Sequence, residues 1–114
     1  MSLDASDKDT WFPIEINGDT WNIYLISNND DLIDDGAAAA SDSVAKEIYV
    51  RRESVTQAVI RHELWHAFFH YCYLADTNIR IHDAEEVSAA LFADRGPKIA
   101  TLAEEVYAKL RAMS

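Results

Sequence analysis

The sequence contains a single cysteine, Cys72, so it cannot close a disulfide within itself. That excludes an oxidatively stapled scaffold and fits a reducing, cytoplasmic setting. Basic residues are also scarce: ten Lys and Arg stand against twenty Asp and Glu, for a formal net charge of -10. A chain so poor in cations is not built to neutralise phosphate, which argues against nucleic acid as the main partner. Anionic membranes are disfavoured for the same reason. No apolar run is long enough to span a bilayer, and the N-terminal Met1 to Asp9 has neither a basic nor an apolar secretory segment. The acidic excess favours solubility and suits either a solvated surface or a basic substrate or partner.

What is present suits one globular domain over residues 1–114: 49% hydrophobic and 26% charged residues. Residues 1–10 are polar and expected to be disordered. Two β-rich runs, 12–16 and 20–26, flank Asn17-Gly18, the strongest short signal for a hairpin. Pro13 fits the start or the edge of the first strand. Residues 28–45 read as a loop with at most one helical turn. A calcium loop starting at Asp31 is disfavoured, because its third position would be Ile33 and its twelfth Asp42. Lys46 to Arg51 reads as a third strand.

Ser54-Val55-Thr56-Gln57 has the form of a capping box. No glycine or proline follows until after Leu74, so one long helix is expected over 54–74. Thr77-Asn78 marks a break. Asp83 can cap a second helix through Asp94, and Gly96-Pro97 should end it and start a third that runs to Met113. Ile99, Leu102, Val106 and Leu110 step by three or four and mark a core stripe. The fold class is therefore α+β: a small, mostly antiparallel sheet beside a long helix and two further helices.

The long helix carries His62-Glu63-Leu64-Trp65-His66. Two histidines one turn apart share a helix face and can reach one metal ion together. Glu63 sits about 100° round from His62, placed for water at the metal rather than for the metal itself. Zinc activates such water, and a neighbouring carboxylate can take its proton as general base. With four His and eight Glu in the chain, the motif arises by shuffling in roughly one sequence in 140. The face holding both histidines also holds Val55, Val59, Phe69 and Tyr73, so it is expected to point inward. The competing reading is a pair of core histidines, each needing a hydrogen-bond partner.

A catalytic zinc needs a third protein ligand. The metzincin spacing would put a histidine at position 72, which is Cys72. A carboxylate on the next helix is the alternative, and Glu85 and Glu86 are both available in a gluzincin-like order. Glu86 could instead only complete a capping box with Asp83.

Glu86-Val87-Ser88-Ala89-Ala90-Leu91-Phe92-Ala93 fits, position by position, the Glu-x-x-Ala-x-x-Phe-Ala motif of the ImmA/IrrE-like metallopeptidases, which are common in prophages. Together with His62 to His66, the chain resembles that family over roughly residues 46–94. The resemblance implies a minimal zincin-like domain with zinc as cofactor, His62, His66 and Glu86 as ligands and Glu63 as the base. It further implies hydrolysis of a peptide or protein substrate by metal-activated water. Trp65 departs from the family, where glycine is frequent. The other reading is a catalytically silent zinc-binding adaptor or protein-interaction module. His70 and His82 read as packing or surface residues, Tyr71 and Tyr73 as packing, and Cys72 as a small buried thiol.

Overall fold

The computed structural model describes residues 10–16, 18–73 and 81–114, with only the backbone described at 70–73, 81–91 and 94. The expected disorder at 1–10 and the break at Thr77-Asn78 fall largely or wholly outside these residues.

Four strands form one mixed sheet: β1 (Trp11–Ile16), β2 (Asp19–Ile26), β3 (Ala39–Asp42) and β4 (Glu47–Arg51). Their order is β1-β2-β4-β3. The hairpin expected at Asn17-Gly18 is present, with Ile16 opposite Asp19 and Gly18 at φ 88°. That left-handed angle is where glycine is free of the usual steric cost. β2 and β4 pair in parallel, whereas β3 returns antiparallel to β4 at the sheet edge.

Alternation decides which face is dry. Ile14 and Ile16, Trp21, Ile23 and Leu25, and Ile48 and Val50 are all buried on one face. Helix α1 (Gln57–Tyr73) and helix α2 (Ile81–Met113) cover that face. Ile60, Leu64, Ala67 and Phe68 come from α1, and Ile99, Ala103, Val106 and Leu110 from α2. The expected stripe of α2 is thus core, with Leu102 half-buried beside it.

Several expectations need correction. Residues 28–45 are not only loop, because they include β3. Asp42 Oδ1 accepts the N–H groups of Val44 and Ala45 at 3.0 Å each, and Lys46 takes φ 58°, so the chain turns tightly from β3 into β4. Ser54 does not cap α1. It ends a 3-10 turn (Arg52–Ser54), and Thr56 Oγ1 accepts the Val59 N–H at 3.2 Å instead.

The described residues contain two α-helices rather than three, because α2 runs unbroken through Gly96-Pro97. Gly96 does not take the positive φ that would turn the chain out of the helix. Pro97 forfeits the bond to the carbonyl of Ala93, which lies on an exposed face where water can serve it. Asp83 is the third residue of α2 rather than its cap. Among the described residues no helix is long and apolar enough to cross a membrane.

Candidate metal centre

α1 lies across the sheet with Leu64, Ala67 and Phe68 inward, which turns the preceding side of the helix toward β3. His62 and His66 stand on that side, one turn apart. Both are exposed, and 68% of the His62 side chain is open to solvent. The expectation that this face points inward holds for Val55, which is buried, and for Val59 and Phe69, which pack against the core, but not for the two histidines. Exposure also removes the demand that buried imidazoles be partnered, so the two rings have no core role.

The two Nε2 atoms are 3.1 Å apart, with the rings edge to face. Two zinc–nitrogen bonds of about 2.0–2.1 Å at a tetrahedral angle span roughly 3.3–3.4 Å. The donor pair therefore fits zinc with little movement. It also fits one N–H···N hydrogen bond between neutral rings. Glu63 is buried, at 6% exposure, and its Oε2 lies 4.0 Å from His62 Nε2. No hydrogen bond holds its carboxylate among the described residues.

These three side chains line an open cleft of about 440 Å³ between α1 and β3. Its other walls are small, Ala39, Ala40, Ser41, Ser43 and Ala67, with Trp21 as the exception. Trp21 Nε1 is the one buried side-chain nitrogen or oxygen among the described residues that has no hydrogen-bond partner. A donor left unpaired in the interior is costly and calls for an explanation. Here the indole that carries it borders the cleft.

Glu85 and Glu86 occupy the second turn of α2. Their side chains lie outside the described residues, as do those of His70, Tyr71, Cys72, Tyr73 and His82. Among the described residues no group of three His, Cys, Asp or Glu side chains is close enough to hold a metal.

Three contributors were not singled out in the sequence. β3 walls the cleft and lies hidden in an alanine-rich stretch. Trp21 differs from other inward strand residues only in its unpaired N–H. Arg51, at the end of β4, is 4% exposed and organises the segment that leads into β3. Its Nε donates to Ala37 O, and its two terminal nitrogens donate to the carbonyls of Ser27, Asn28, Asp30, Ile33 and Asp34.

No protein-family model, no curated protein and no solved structure matches this chain.

Proposed function

We propose that the cleft is the active site of a minimal zinc-dependent peptidase, with His62, His66 and Glu86 as metal ligands and Glu63 as general base. The observation that carries this reading is the pair of Nε2 atoms on exposed histidines, 3.1 Å apart, beside a buried carboxylate that has no hydrogen bond among the described residues. A purely structural zinc site has no need of such a carboxylate, and it is usually closed by four protein ligands. When bound, zinc supplies Lewis-acid charge to a carbonyl and acidifies water in the cleft.

The chain's own part is proton transfer and positioning. Glu63 takes the proton of the attacking water and returns it to the leaving amine. Its side chain is largely buried yet borders the cleft, which holds the carboxylate in place beside the histidines.

Substrate positioning falls to β3. The Arg51 N–H donates to Ala38 O, so Ala38, Ala40 and Asp42 turn their backbone groups toward β4. Ala39 and Ser41 then direct theirs to the free edge. An extended peptide can pair there as a fifth strand, beside the histidines.

The test is hydrolysis of a randomised peptide mixture by zinc-loaded protein, read by mass spectrometry. Wild type is expected to cleave. Glu63→Gln is expected to keep its zinc and lose at least about a hundredfold in rate. Cleavage undiminished in Glu63→Gln would overturn the assignment of the base. Bound zinc with no cleavage by wild type would favour a zinc-holding adaptor.

A further inference from the structure

The face of the sheet turned away from the helices carries a second arrangement that the peptidase reading does not use. Trp11, Tyr24 and Tyr49 are opposite one another on β1, β2 and β4. Their rings stack in sequence, at 5.9 Å and 5.3 Å between centroids and 27° between planes in each pair. Both phenols donate to Glu47, Tyr24 at 3.0 Å to Oε2 and Tyr49 to Oε1, which fixes the rings.

In the same row on β3 the residue opposite Tyr49 is Ala40. The aromatic row therefore stops one strand short of the sheet edge. Where a fourth ring would lie there is a concavity of about 380 Å³, bordered by Tyr49, Ala40, Leu32, Ile33, Asp34 and Asp42. No basic side chain lines it. Asp42 uses Oδ1 for the turn into β4, leaving its other oxygen for a ligand, and Asp34 is exposed.

We propose that this concavity is a docking site for an arginine side chain of a partner protein, whose guanidinium continues the aromatic row. A planar cation suits the gap on three counts. It stacks on Tyr49, its fork of donors meets the Asp34 and Asp42 carboxylates, and its charge complements a chain of net charge -10. Lysine shares the charge but not the plane. The concavity shares Ala40, Ser41 and Ser43 with the cleft, but it needs no metal and its test reads peptide binding rather than hydrolysis, so it stands or falls apart from the peptidase reading.

The probe is the capped tripeptide acetyl-Gly-Arg-Gly-amide, titrated into the isotopically labelled full chain and followed by amide chemical shifts. Saturable shifts are expected at Ala40, Asp42 and Tyr49. The lysine counterpart is expected to bind about threefold more weakly, since it forgoes the stacked contact. Ala40→Tyr fills the gap and is expected to weaken binding about tenfold or more. Should that variant disturb the sheet, Asp34→Asn, which alters an exposed side chain, is expected to weaken binding about threefold. Glu104→Gln on the exposed side of α2 makes the same change in net charge and is expected to have no effect. Shifts spread over α2, equal binding by Asp34→Asn and Glu104→Gln, or no saturable binding would each overturn the proposal. Shifts that grow with protein concentration in the absence of peptide would replace it with self-association.

Discussion

Arg51 and Glu63 are the two charged side chains that folding takes almost wholly out of water among the described residues, and the fold treats them differently. Arg51 has its donors spent on six backbone carbonyls of one segment. Removing it strands several of those oxygens at once. Arg51→Met is expected to cost about 3 kcal/mol or more in urea unfolding. Arg51→Lys should recover less than half of that loss, because an ammonium lacks the fork that reaches both sides of the segment. Glu63 has no such partners among the described residues and faces the cleft, as the proposed base requires.

The tyrosines give a pH signature. Burial, followed by the bond to the Glu47 carboxylate, raises the pKa of both Tyr24 and Tyr49 above the ordinary phenol value of 10.0. The protonated phenols are thus favoured in the folded state. Their contribution is complete below pH 10 and is lost as the pH rises beyond it. The urea midpoint is expected to fall between about pH 10 and 11.5, and to fall less steeply in Tyr49→Phe. An identical slope in the variant would contradict that account.

At the scale of elements, α1 and the β1–β2 hairpin were legible because their signals are local. The hairpin has Asn17-Gly18, and α1 has seventeen residues free of glycine and proline. β3 was not legible. Its four residues, Ala39 to Asp42, have little intrinsic strand preference, and they are held as a strand by pairing with β4. In α2, Gly96-Pro97 is a strong local stop that tertiary burial of Ile99, Val106 and Leu110 overrides.

Half of the candidate site follows the same division. His62, Glu63 and His66 are readable from helix spacing, whereas the wall opposite them comes from a strand with no local signature. β3 also offers a test of substrate pairing. Ser41→Pro removes one N–H at the free edge and leaves the bonds to β4 intact, a place where sheets tolerate proline. It is expected to raise KM about tenfold or more, with the thermal midpoint little changed, since one edge hydrogen bond is made only by bound peptide. An unchanged KM would show that substrates do not use this edge.

At the scale of the molecule, the α+β class is established by the alternating strands and the two helices on one face. The mixed topology has one physical origin: β4 runs parallel to β2 because the chain crosses from one end of β2 to the other before entering β4, laying down β3 on the way. α1, β3 and α2 come from different stretches of sequence. A metal held between His62 and His66 on α1 and Glu86 on α2 would join the two helices and add stability that scales with its binding. The central claim is therefore that the chain binds zinc through both helices. Metal content per chain, measured by elemental analysis on wild type, His66→Ala and Glu86→Ala, tests it most directly. About one zinc per chain in wild type, lost in both variants, is expected. Wild-type protein that stays free of zinc after exposure to it at neutral pH would contradict the claim and leave His62 and His66 as a hydrogen-bonded surface pair.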